Sequence, residues 1–510
     1  MFGGTVLETE LPETAFGYFL KDTVGIVIDE DIDYLPSLSP PKHSSRSSTV
    51  GSDDWTQNVV STLTTDSDTL PSELALTQAY AWALGSGISP CITPSTEAQA
   101  TAFFFRNFVL LPQEAESMRG FLELILPLYN TASHSSPLHS ITHCVALSVL
   151  GNYPGRQHMV QEATVKYGEA LQKVREAVKN PDLAKTDETL LSVLMFSLYE
   201  AMTSTNDSIA AWANHVDGAV ALAKLRGVDE YQHPTSVGLF RAVRTMMLTS
   251  CVQQSKPVDD FPGPEGWMSV GASDENAANR LTVLSLQLPE IRARSKALVN
   301  RHRNTTAMLE ALALLNDASR VDGDLEQWAR TLPDAWGYKT VSWKHDMPDD
   351  LANAPQYPGP KHVYEDTFIA NIMNDYRVSR IFCQSVILSC TAWLSPPGED
   401  LSTESQCLIA RHTIQQMVDD ICASVPFHMD YSLQSKARSM GQDEGAAEAL
   451  GGYFLVWPIF VAVNTESVPR QQREWLQGRL SHIGHTFGLN QAQVLLLARR
   501  HVLTCGPVFP

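Results

Sequence analysis

Residues 186–227, TDETLLSVLMFSLYEAMTSTNDSIAAWANHVDGAVALAKLRG, limit the possible folds more than any other stretch. Leu190, Leu191, Leu194, Met195 and Leu198 recur at helical spacing, and Val193, Phe196 and Tyr199 make the remaining faces apolar too. A helix that is apolar all round is stable only when other elements enclose it. The rest of the chain must therefore wrap this rod. Thr186 or Asp187 can accept hydrogen bonds from the first free N–H groups, and Asp187 and Glu188 put negative charge at the positive end of the helix dipole. The small polar run 203–207 predicts a turn, after which Trp212, Val216, Ala219, Val220 and Ala223 form a narrower stripe for a second helix packed on the first. Lys224 and Arg226 suit its negative end, and Gly227 supplies the left-handed residue that commonly follows a helix.

Helical periodicity recurs at 71–84, 98–111, 115–129, 136–151, 160–179, 237–253, 276–319 (one or two helices), 324–332 (a short one), 362–394, 402–424, 444–463, 470–487 and 491–503. No stretch alternates convincingly at the period of a strand. The reading is an all-α fold, either an irregular multi-helix bundle or a solenoid-like stack of antiparallel helix pairs. Residues 71–510 read as one helical domain, with a long irregular loop at 333–360 where proline and aromatic residues interrupt the pattern. Residues 1–70 differ, with 12 acidic against 3 basic residues and a Pro/Ser-rich run at 35–48, and are expected to be largely disordered. Within them, 24–35 mixes acids with bulky apolar residues, as in segments that fold on docking to a partner; a solvated tail or a strand tucked onto the main domain are the alternatives.

At 510 residues and 44% hydrophobic, the chain can bury a large core. It has no uninterrupted apolar run of about 18 residues for a membrane span, and its first residues lack the basic start of a signal peptide. Its eight cysteines are scattered through apolar helical patterns, which fits reduced core thiols in an intracellular protein. A net charge of −20 repels polyanions, so no direct nucleic-acid binding is expected from this chain alone.

Residue patterns that could carry chemistry have simpler readings. His482-Ile483-Gly484-His485 spells a nucleotide-binding signature of class I aminoacyl-tRNA synthetases, but it lies within a predicted helix that no parallel strand precedes. His215 and Asp217 are two positions apart on a helix and point in different directions, whereas His215 shares a face with Trp212 and Ala219 as a core histidine would. Cys383 and Cys390 stand two helical turns apart in an apolar run, and no C-x2-C pair occurs in the sequence. Arg292, Arg294, Lys296, Arg301 and Arg303 form a basic cluster, read as a solvated helix face, and Arg499, Arg500 and His501 form a smaller one. There is no phosphate-binding glycine loop, nucleophile elbow or H-E-x-x-H site, so no catalytic residue, metal ligand or cofactor is assigned.

The words Ser197-Leu198-Tyr199-Glu200, His215-Val216-Asp217-Gly218-Ala219 and Lys224-Leu225-Arg226-Gly227 carry a family likeness, joined by Gly452-Tyr453-Phe454-Leu455-Val456-Trp457-Pro458, Arg473-Glu474-Trp475-Leu476 and Ile483-Gly484. In this order they resemble the helical regulatory region of fungal binuclear zinc cluster transcription factors, from about residue 98 onward. The six clustered cysteines of the zinc module are not among these residues. The resemblance implies a nuclear, non-enzymatic transcriptional regulator that acts through protein contacts, as a coactivator, corepressor or dimerisation partner, for a metabolic gene set such as one of secondary metabolism. Its partners would be other transcription regulators or a second copy, and a small-molecule effector would sit in a mostly apolar pocket between helices. Two alternatives stand beside it: a sequence-specific factor whose zinc cluster lies upstream of Met1, and an unrelated helical enzyme or ligand-binding protein.

Overall fold

The structure, a computed structural model, describes residues 94–109, 115–153, 155–203, 208–263, 265–268, 270, 276–396, 398–430 and 448–497. The expectations for 1–70 and 71–84, and the end of the helix expected at 491–503, lie outside them. The fold is all-α with one pair of strands. In chain order come α1 (Thr96–Phe108), α2 (Leu122–Thr131), α3 (Pro137–Gly151), α4 (Gln157–Lys179), α5 (Pro181–Ala184), α6 (Asp187–Thr203), α7 (Ser208–Arg226) and α8 (Pro234–Gln254). There follow α9 (Ala277–Ser285), α10 (Leu288–Val299), α11 (Thr305–Arg330), β1 (Lys339–Lys344), β2 (Gly359–Val363), α12 (Thr367–Leu394), α13 (Ser405–Met429), α14 (Glu448–Val463), α15 (Arg470–Phe487) and α16 (Asn490–Leu497).

The rod read from the sequence is α6, buried at every residue from Thr189 to Met202. It packs against α3 and α7, and α16 returns from the far end of the sequence to touch it. Its start is capped by the Thr186 hydroxyl, which accepts from the Thr189 N–H at 3.2 Å. Asp187 makes a different contact: it accepts from Arg226 at 2.6 Å and from the Ser236 hydroxyl at 2.8 Å, tying the start of α6 to the end of α7 and the start of α8. Gly227 follows with φ 75° and ψ 173°, a positive-φ conformation open to glycine but not the αL cap expected there. In the second half α12 takes the same central role, flanked by α11 and α13, and α14 reaches back to α1. A single hydrophobic cluster accordingly runs from Ala100 to Leu495.

Four boundaries depart most from the sequence reading. The helix expected at 115–129 is a single 3-10 turn at Ala115–Ser117 followed, after non-helical residues 118–121, by α2 from Leu122. The segment 276–319 holds three helix starts: Pro289 opens α10 in its first turn, and the Asn304 side chain caps α11 by accepting from the Ala307 N–H at 2.8 Å. The short helix expected at 324–332 is the continuation of α11. Gly323 weakens a helix by about 1 kcal/mol relative to alanine, but Val321 and Leu325, both buried, hold the turn on either side of it. The irregular loop expected at 333–360 contains β1 and the start of β2, an antiparallel ladder pairing Lys339 with Val363 and Lys344 with Gly359, with an irregularity between Thr340 and Ser342. Every residue of β1 before Lys344 is exposed, so no alternation of burial marked it as a strand. β2 lies against α13, and its His362 is buried beneath the stacked ring of Tyr338, 3.7 Å away.

Candidate functional site

Where the helices of both halves meet, side chains at helical spacing on several elements line a partly open cavity of about 230 Å³. α8 supplies the stripe Ala242, Thr245, Met246, Thr249, Val252 and Gln253, and α12 supplies Phe368, Ile372, Asp375, Ser379 and Phe382. Tyr453, Phe454 and Trp457 of α14 form an aromatic wall, and Leu281, Thr282 and Ser285 of α9 close one side. The segment Ser117–Gly120 with the first turn of α2 covers one end, and Gln491 and Leu495 of α16 contribute another part of the lining. The surface is thus mostly aromatic and aliphatic, with small hydroxyls such as Ser285 and Ser379, which share a hydrogen bond of 3.2 Å.

Two acidic side chains line this cavity in different states. Asp375 is paired with the Arg119 guanidinium, so its charge is answered locally. Glu123 is only 3% exposed. Its Oε1 accepts the Arg119 backbone N–H at 3.1 Å, whereas its buried Oε2 has no hydrogen-bond partner among the described residues. Burial raises its pKa above the usual 4.5, against the opposing pull of nearby backbone N–H groups and of Arg119. The sequence reading placed these residues in an ordinary amphipathic helix at 115–129. The available signal was an acid inside the apolar run Phe121-Leu122-Glu123-Leu124-Ile125-Leu126.

The residues singled out in the sequence fall elsewhere, with one exception. His215 is buried, stacks on Phe196 with ring centres 5.3 Å apart, and shares a hydrogen bond of 3.1 Å with Tyr167. Tyr167 also donates to Glu200 at 2.7 Å, so the tyrosine-glutamate and histidine words of the sequence meet in one knot that joins α4, α6 and α7. Burial and the neighbouring Glu200 push the Tyr167 phenol well above its usual range. Asp217 faces away and pairs with Lys256 at 3.1 Å. His482 and His485 sit within α15, where His485 bonds to Gln493 at 2.8 Å.

Cys383 and Cys390 are buried free thiols, and burial pushes Cys390 up to about 12. Among the described residues, no group of three or more His, Cys, Asp or Glu side chains is arranged to hold a metal ion. The basic cluster does not act as one patch: Arg292 is buried over the Phe382 ring at 4.2 Å, Arg294 pairs with Asp317 at 2.8 Å, Arg301 pairs with Glu310, and Arg303 donates to the Ser395 carbonyl at 2.7 Å. Lys296 is exposed. Arg499, Arg500 and His501 lie outside the described residues. The exception is the second set of words: Tyr453, Phe454 and Trp457 are the aromatic wall of the cavity.

A second buried polar group, between α12 and α13, is bonded mainly within itself. Arg377, 1% exposed, donates to the Tyr364 hydroxyl at 2.8 Å and to Asn374 at 2.7 Å, and Asn374 donates to Ser424 at 3.0 Å. Burial and the Arg377 charge push His428 down to about 3. Next to it Arg380 meets Asp322 through two bonds of 2.8 Å. These groups face one another rather than the cavity, which makes their role structural.

Residues 102–256, which run from within α1 to past the end of α8, match the family described as the fungal specific transcription factor domain. These helices carry the likeness to fungal transcription factors. The knot of Tyr167, Glu200 and His215 and the α8 wall of the cavity both lie within the matched segment. In a separate comparison, 420 residues, 80% of this chain and 94% of the relative, align at 22% identity with a protein named transcription factor dbaG from Emericella nidulans. No solved structure matches the chain.

Proposed function

We propose that the chain is a fungal transcriptional regulator, not an enzyme, that acts in the nucleus through protein contacts, as a coactivator, corepressor or dimerisation partner of a DNA-bound factor. The observation that carries this reading is the alignment of 80% of this chain with 94% of a protein named as a transcription factor. Action through a partner is favoured by one sequence fact, the net charge of −20, which repels nucleic acid. Among the described residues, no helix is long and apolar enough to cross a membrane.

Chromatin immunoprecipitation of the tagged native protein, repeated after deletion of each DNA-binding factor that co-purifies with it, tests the reading. Promoter occupancy that disappears with one such factor is expected. Occupancy that survives every deletion, together with an upstream exon encoding clustered cysteines, would replace it with direct zinc-cluster binding. A protein that occupies no promoter and turns over a substrate would overturn it.

A further inference from the structure

We propose that the outer edge of β1 is a docking site for an extended, acidic segment of a partner protein, which joins β1 and β2 as a third strand. β1 and β2 form a two-stranded sheet, and β2 is the strand that lies against α13. Among the described residues β1 therefore has one paired edge and one open edge, whose N–H and C=O groups can bond to another chain. Its side chains are not those of a merely solvated strand. Val341 and Trp343 are 54% and 59% exposed, and Tyr338 and Met347 flank them at 42% and 43%. Branched aliphatic and aromatic side chains are the ones that pack across neighbouring strands.

Charge selects the occupant. In a chain of net charge −20, the two strands carry three lysines, Lys339, Lys344 and Lys361, and no carboxylate. Lys344 donates to the Gln356 carbonyl at 3.4 Å, and none of the three forms an ion pair among the described residues. A second copy of β1 fits this edge poorly, because KTVSWK paired with itself end to end sets lysine against lysine in either direction. The lysines and the irregularity between Thr340 and Ser342 thus guard the edge against its own kind. A strand with acids at its ends and branched apolar residues between them answers both the lysines and the exposed Val341 and Trp343. Asp346, Asp349 and Asp350 follow Lys344 and repel an acid carried past it, which limits the matching segment to about the length of β1. The site deepens the reading of a regulator that acts through protein contacts, and rests on that reading for the kind of partner.

The test uses the full purified chain and a fluorescein-labelled peptide, Asp-Val-Thr-Val-Thr-Val-Glu, followed by fluorescence anisotropy. Saturable one-to-one binding that weakens with added salt is expected. Trp343→Ser should weaken it about tenfold, as the loss of a buried indole contact does. The double variant Lys339→Glu with Lys361→Glu should weaken it about as much and should bind instead a peptide with lysines in place of the acids; a variant that had merely unfolded would bind neither. N-methylation of every second peptide amide should abolish binding in one phase and spare it in the other, since an added strand bonds along one edge. No saturable binding, equal binding of the lysine peptide by the unsubstituted chain, or equal effects of the two N-methylated peptides would each overturn the proposal. So would displacement of the peptide by a short DNA oligonucleotide, or a dimer of the chain that Trp343→Ser dissolves. Failure here leaves promoter occupancy through a partner intact, whereas loss of that occupancy alone leaves the strand site standing.

Discussion

Glu123 places a titratable group where the fold penalises its charge. Below the usual pKa of 4.5 the carboxyl is protonated in both folded and unfolded chains and has no influence on stability. As pH rises past that value the unfolded chain ionises first, so stability falls progressively through the raised pKa of the folded state and then levels off. Glu123→Gln mimics the protonated form. Its gain in unfolding temperature should be near zero at about pH 4 and grow toward pH 8; a gain that is the same at every pH would contradict the assignment. Arg380 shows the converse case of a buried charge that is answered, with Asp322 accepting both of its short bonds. Asp322→Ala leaves that guanidinium buried and unanswered and should destabilise the chain by about 3–5 kcal/mol in urea titration. Replacing both partners with apolar residues of similar volume should recover most of the loss. At this scale the sequence was partly legible. The core place of His215 followed from the face it shares with Trp212. The roles of Asp322 and Arg380 did not follow, because they are 58 positions apart and periodicity cannot identify such a partner.

Among the elements, α15 shows how sequence pattern and tertiary contact divide the work. Its limits, Arg470–Phe487, agree with the periodicity, and its word Arg473-Glu474-Trp475-Leu476 turns out to bind backbone. Arg473 donates to the carbonyls of Val463, the last residue of α14, and of Thr465 just after it, at 2.9 and 3.0 Å. Trp475 donates to the Ala354 carbonyl at 2.8 Å, and Arg479 to that of Ala352 at 2.9 Å. Gly478 makes this approach possible: a β-carbon there would overlap the Ala352 carbonyl. In an isolated helix Gly→Ala gains about 1 kcal/mol. Gly478→Ala should nevertheless lower the unfolding temperature, and a stabilised variant would show that the contact yields. Helices were legible wherever their own apolar pattern fixed them, as in α6 and α15. The strands were not, because β1 carries no buried face, and the single span of α11 was hidden by Gly323, which only the packing of Val321 and Leu325 overrides.

For the molecule as a whole, the charge of −20 leads to a simple expectation. Purified chain should leave duplex DNA unshifted in a gel at about 0.1 M salt, where like-charge repulsion is screened only beyond about 10 Å. A retarded band would require a segregated basic surface. The all-α class and the central place of α6 were readable from 186–227, since an all-round apolar helix dictates its own surroundings. The cavity was not readable, because its walls are single faces of helices hundreds of positions apart. Those walls span Ser117 to Leu495, with α16 the last of them in chain order. On a ribosome the pocket therefore exists only after nearly every other described helix has been made. A chain interrupted before residue 490 would carry the helices that match the transcription factor domain yet lack part of the pocket, so any molecule held there distinguishes finished chains from unfinished ones.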